Sequence, residues 1–127
     1  MKKPFGAWVD FRLSPQDCPK EYMLALNDAL NVLTGKWKLH VIGALTTGKK
    51  RFSEIERFIP EINPRMLSKE LKELEVNGIV SRTVQDRSPA IVEYELTKSG
   101  KEIKPVFDAM ITWGLEHRQS SIRNGGK

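Results

Sequence analysis

The sequence predicts a mainly α-helical domain carrying one small β-hairpin, an α+β fold, and three observations lead there. From Asn63 to Gly78, apolar residues recur at helical spacing between a start and a stop signal. Directly after Gly78 the period changes to two, over two short segments joined by Asp86-Arg87-Ser88-Pro89. Helical spacing then returns and persists nearly to the end of the chain. At 127 residues, 39% hydrophobic and 29% charged, the chain fits one soluble globular domain with a modest core.

Residues 1–19 contain Phe5, Trp8, Val9, Phe11 and Leu13 among prolines and charges and keep no clean period, so they are expected to form an N-terminal arm. Apolar groups of that size argue for packing on the domain or on a partner subunit; a frayed terminus is the alternative. From Lys20 to Leu33, the positions Tyr22, Leu26, Ala29, Leu30 and Leu33 hold helical spacing, and Gly35 stops the helix. A second helix is expected from about Lys36 to Leu45, with Trp37, Val41, Ala44 and Leu45 on one stripe and Thr46-Thr47-Gly48 at its end. Lys49, Lys50 and Arg51 follow, then a short helix over residues 51–59 with Phe52, Ile55, Phe58 and Ile59 inward.

The turn Pro60-Glu61-Ile62-Asn63 leads into the next helix, where Asn63 is a good N-cap and Pro64 suits the first helical position. Leu67, Leu71 and Leu74 fall on one face, and Arg65, Ser68, Lys69 and Lys72 on the opposite one. A short helix, a tight turn and a longer basic-faced helix make a helix-turn-helix, whose second helix reads DNA. In the following segments Val80 and Val84 share a face, and Val92, Tyr94 and Leu96 alternate with Glu93 and Glu95. A hairpin directly behind a recognition helix is a wing, and Arg87 at its tip is placed to reach phosphates or a minor groove. The predicted architecture is therefore a winged helix-turn-helix. Arg82 can face DNA or pair with Glu93 across the hairpin.

Thr97 can cap a last helical region in which Ile103, Val106, Phe107, Met110 and Gly114 line one side with Trp113 alongside, and Pro105 either kinks it or divides it in two. No later chain covers that stripe, so Val106, Phe107, Met110 and Trp113 of the C-terminal helix are expected to be buried against a second subunit. The domain is thus placed at residues 20–118, with a frayed tail at 119–127.

The formal charge of +5 and pI near 9.4 tilt the choice of partner toward a polyanion. Between Lys36 and Arg87 eleven Lys and Arg stand against seven Asp and Glu, so much of the excess surrounds the basic-faced helix. The candidate DNA-binding residues are Asn63, Arg65, Ser68, Lys69, Lys72 and Arg87, with Lys50 and Arg51 positioning the backbone. An ordinary amphipathic helix with a solvated basic face is the plainer alternative. The longest run free of Asp, Glu, Lys and Arg, Leu39 to Gly48, is too short to span a membrane, and the N-terminus has no secretory apolar stretch, so a cytoplasmic location is expected. The single cysteine, Cys18, rules out an internal disulfide. His40 and His117 lack accompanying metal-ligand spacing, and no nucleophile elbow, phosphate loop or paired-carboxylate pattern occurs, so no metal, cofactor or enzymatic activity is expected.

Read together, Gly35-Lys36-Trp37-Lys38, Arg51-Phe52-Ser53-Glu54-Ile55, Met66-Leu67 with Leu71 and Leu74, Asn77-Gly78-Ile79-Val80 with Arg82, Val92-Glu93-Tyr94, Leu96-Thr97, Gly100 and Trp113-Gly114 resemble the HxlR-type transcriptional regulators, a branch of the MarR-like winged-helix proteins. The resemblance covers about Lys20 to His117. It implies a homodimeric DNA-binding repressor or activator on a pseudo-palindromic operator, with the N- and C-terminal helices forming the dimer interface, so that Leu26 and Leu30 join Val106, Phe107, Met110 and Trp113 in it. It also implies a candidate redox sensor: several members sense electrophiles or oxidants through a cysteine followed by proline, and Cys18-Pro19 looks like that pair, set further from Gly35-Lys36-Trp37 than is common. A small-molecule effector between domain and dimer helices is a further possibility, and an inert thiol is the alternative for Cys18. A winged-helix module binding an acidic protein is the competing function.

Overall fold

The structure, a computed structural model, describes residues 19–125. In chain order they form α1 (Pro19–Leu33), α2 (Lys38–Leu45), β1 (Lys50–Arg51), α3 (Phe52–Phe58), α4 (Pro64–Val76), β2 (Val80–Gln85), β3 (Ile91–Leu96), α5 (Lys98–Lys101) and α6 (Lys104–Gly125). The arm, including Cys18, and residues 126–127 lie outside the described residues.

The core is built where the sequence is most apolar. Val41, Ile42 and Ala44 of α2 are completely buried, and so are Ile55 of α3 and Leu67 and Leu74 of α4, with Leu71 nearly so. Helix α2 therefore runs through the middle, with α3, α4 and β3 packed around it. Each large side chain removed from water there contributes on the order of 1.5–3 kcal/mol, which is what fixes α4 against α2.

Helix α4 owes its limits to local chemistry. The Asn63 side chain accepts the Met66 N–H at 2.8 Å, Pro64 occupies the first turn, and Gly78, with φ of 76°, takes the left-handed position past the end. Gly78 N–H then donates to Glu75 and Ile79 N–H to Leu74, which closes the last turn and buries Ile79. Beyond it, β2 and β3 pair antiparallel, Val80 opposite Leu96 and Gln85 opposite Ile91. Gly100 closes the base of the hairpin: a Cβ there would fall on the Ile79 carbonyl oxygen, so a side chain is excluded by backbone.

Several expectations needed correction. Lys50 and Arg51, expected as backbone-positioning cations with Arg51 opening the short helix, form a third strand on the free edge of β3, with Lys50 opposite Tyr94 and Arg51 opposite Glu93, so the sheet order is β1-β3-β2. Helix α2 starts at Lys38 rather than Lys36. Phe58 points outward, as α3 ends there and only Ile55 of the helix is fully buried. Val84 is likewise exposed, because the hairpin outruns the core that covers Val80. Arg82 does not pair with Glu93: Thr83 stands opposite Glu93 and Arg82 opposite Tyr94, on the other face. Pro105 accompanies a division, α5 ending before it and α6 taking it into its first turn, where a missing N–H costs nothing. Helix α6 then continues through Gly125, across the stretch assigned to the tail.

Candidate nucleic-acid interface

The inward packing of Leu67, Leu71 and Leu74 determines which face of α4 meets solvent. Arg65, Ser68, Lys69 and Lys72 are all exposed on it. Neither Arg65 nor Lys72 forms an ion pair with a described residue, whereas Lys69 Nζ lies 3.4 Å from the Glu73 carboxylate one turn on. Asn63 holds the helix start through its side-chain oxygen, so its first role is capping. At the wing tip Arg87 is exposed, its backbone N–H donating to the Gln85 carbonyl at 2.9 Å. Arg51 is exposed at the start of α3, and its N–H donates to Glu54 at 2.7 Å. Lys50 is more engaged: its Nζ donates to Thr47 at 2.7 Å and lies 5.7 Å from the centre of the Phe58 ring. Glu93, which faces Arg51 across the ladder, is held by Gln85 at 2.8 Å and lies 3.8 Å from Lys49.

Beneath this surface is a feature that periodicity did not reveal. Lys38, from α2, and Glu70, from α4, are the buried charged residues among those described, and Lys38 Nζ donates to Glu70 at 2.8 Å and to Glu73 at 2.5 Å. Burial pushes the Lys38 pKa down, but its hydrogen bonds and charge attraction to Glu70 and Glu73 outweigh this and hold it above its ordinary value. The hydrogen bond from Lys38 and its charge hold the Glu73 carboxyl below the usual range, with a smaller contribution from Lys69. The available clue was Glu70 lying on the leucine face of α4, where an ionised side chain requires a partner.

On the other side of α2 a cleft of about 590 Å³ opens toward α6. Trp37, His40, Ile59, Glu61, Phe107 and Met110 are among its lining residues. Gly43 leaves room for the Phe107 ring at the cleft wall, since a Cβ there would lie 2.6 Å from it. The cleft thus touches both the turn that leads into α4 and the long C-terminal helix. Of the expected dimer contacts, Leu26, Leu30 and Met110 are each more than two-fifths exposed and Trp113 is 65% exposed, stacked on His117 at 4.7 Å between ring centres. Val106 and Phe107 are half-buried within the protomer. Among the described residues no His, Cys, Asp and Glu cluster could hold a metal, and no helix is long and apolar enough to cross a membrane.

The family model for HxlR-like helix-turn-helix proteins matches residues 32–122, the stretch that holds the helix-turn-helix, the wing and most of α6. The chain belongs to that family. This HxlR-type protein is 43% identical over 107 residues to an HTH-type transcriptional regulator of Methanothermobacter thermautotrophicus, covering 84% of this chain and 82% of the relative. Among solved structures it is similar to the redox regulator HypR in its reduced form, with a TM-score of 0.71 and 41% identity over 74% of this chain and 93% of that one. It is also similar to quinone-bound YodB from B. subtilis, with a TM-score of 0.63 and 38% identity over 78% of this chain and 99% of that one. The protein is a transcriptional regulator of the HxlR type and not an enzyme.

Proposed function

We propose that this regulator works in the cytoplasm as a homodimer that binds a pseudo-palindromic DNA operator, with one α4 in each of two major-groove half-sites and the wing tip beside it. The observation that carries the reading is the two-sided chemistry of α4: its leucines are locked into the core, while Arg65, Ser68, Lys69 and Lys72 all face solvent from the same helix. Arg87 extends that surface along the wing. Half-sites are then spaced by about one helical turn or a multiple of it. Dimerisation is supported by the apolar groups that α1 and α6 leave exposed, Leu26, Leu30, Met110 and Trp113 among them.

Control by an effector is supported by two observations. The cleft between α2, the turn before α4 and α6 has room for a small apolar molecule. Two similar structures are a redox regulator and a quinone-bound regulator, which favours an oxidant or electrophile acting through Cys18.

Selection of sites from random duplex DNA tests the reading. The expected result is an enriched inverted repeat bound about 10- to 100-fold more weakly by Arg65→Ala, matching a bidentate base contact of about 1–3 kcal/mol. Light scattering should give a dimer, and a quinone or mild oxidant should change operator affinity in the parent chain but not in Cys18→Ser. If no sequence is enriched and binding merely fades with salt, the basic face is a general polyanion surface and an acidic protein partner becomes the better reading.

A further inference from the structure

The two exposed lysines of α4 differ in one respect. Lys72 forms no ion pair with a described residue, while Lys69 shares Glu73, and Glu73 is itself held from behind. At about 100° per residue Glu73 falls on the border of the helix, between the cationic face that carries Lys69 and the core face that carries Glu70. One of its oxygens accepts from buried Lys38 of α2; the other faces Lys69 Nζ at 3.4 Å.

An exposed lysine–glutamate pair one turn apart is ordinarily weak, because both side chains must be ordered to form it. Here one partner is already ordered. Lys38, its side chain 8% exposed, pins the carboxylate, and the low pKa of Glu73 keeps it ionised at neutral pH. Lys69 therefore has a fixed counter-charge, and the pair presents almost no net charge to a phosphate. A neutralised cation displaces little of the counterion atmosphere of DNA and so adds little to sequence-independent binding. An ammonium has three donors, and one committed to Glu73 leaves two directed outward for acceptors on a base edge.

We infer that Glu73 is a specificity-determining residue: held by Lys38, it removes Lys69 from non-specific phosphate binding and reserves it for base recognition. Lys38 acts through Glu73 and is a positioning residue. The inference rests on α4 being the DNA-reading helix, and the test separates the two.

The test measures binding of the full chain to its selected operator and to a scrambled duplex of equal length, each as a function of salt. Lys72→Ala should weaken binding to both duplexes and reduce the salt slope by about one per protomer. Lys69→Ala alone bares the Glu73 charge, so the neutral removal of the pair is Lys69→Ala/Glu73→Gln, which should weaken operator binding while leaving the scrambled-duplex affinity within about twofold and its slope unchanged. Glu73→Gln, whose amide oxygen can still accept from Lys38, should raise scrambled-duplex affinity about 3- to 10-fold and steepen that slope by about one per protomer. In Lys69→Ala/Glu73→Gln that gain should vanish. A slope loss in Lys69→Ala/Glu73→Gln equal to that of Lys72→Ala, or no change on Glu73→Gln while Lys72→Ala behaves as expected, would overturn the role of Glu73. If instead neither Lys72→Ala nor Arg65→Ala alters binding to either duplex, α4 is not the DNA-reading helix and the proposed function fails first.

Discussion

Replacing Lys38 by methionine isolates the buried charge cluster, since the two side chains have similar length and differ mainly in the ammonium. In Lys38→Met the Glu70 carboxylate, its side chain 4% exposed, loses the ammonium 2.8 Å away. Removing one partner of a buried ion pair costs about 3–5 kcal/mol. The variant should therefore lose about 3–5 kcal/mol at pH 7. The parent chain should itself lose stability on acidification, because its Glu73 has a lowered pKa, and a carboxylate of that kind contributes stability that is lost as pH falls. Removing both charges in Lys38→Met/Glu70→Leu should recover stability to within about 1 kcal/mol of the parent, as apolar replacements of buried pairs generally do. Urea unfolding followed by circular dichroism at pH 5, 6 and 7, at one fixed protomer concentration, measures all three chains. A Lys38→Met variant within about 0.5 kcal/mol of the parent at pH 7 would refute the argument that this pair is buried and mutually dependent.

Asn63→Ala should lose about 1 kcal/mol through the missing cap to Met66, and Asn63→Ser should restore most of it, both read from urea midpoints. Gly100→Ala places a methyl group against the Ile79 carbonyl and should cost about 1–3 kcal/mol or more, seen as a lowered melting temperature. Leu71→Ala empties a buried site between α4 and α2 and should cost about 2–5 kcal/mol in the same assay. On acidification, the stability due to Glu73 is present above the ordinary carboxylate range and disappears as pH falls through its lowered folded value, so Glu73→Gln should flatten the acid limb of the stability profile.

The elements legible in advance are those whose cause is local. Asn63, Pro64 and Gly78 bracket α4 because capping, a missing N–H and a left-handed backbone are decided within a few residues, and the structure places all three in those roles. The alternation in β3 and the leucine spacing of α4 likewise announce their buried faces. Strand β1 was hidden since two residues carry no period, and only pairing with distant Tyr94 and Glu93 makes Lys50 and Arg51 a strand. Phe58 and Val84 obey the period of their elements yet lie exposed, because the period says which face a residue occupies and not whether another element reaches that far.

The candidate site divides in the same way. The helix-turn-helix, the wing, the cationic face of α4 and the family are legible from the chain alone, for these follow from residue types at short, regular spacing. Tertiary packing adds that Lys38 is buried, that it meets Glu70 and Glu73 across separations of 32 and 35 residues, and that Glu73 in turn pairs with Lys69 while Lys72 has no ion pair among the described residues. A charge run looks uniform along a chain. Burial and distance distinguish its members, because the strength of an ionic contact depends on how water is excluded and on which group three-dimensional packing brings within a few ångströms.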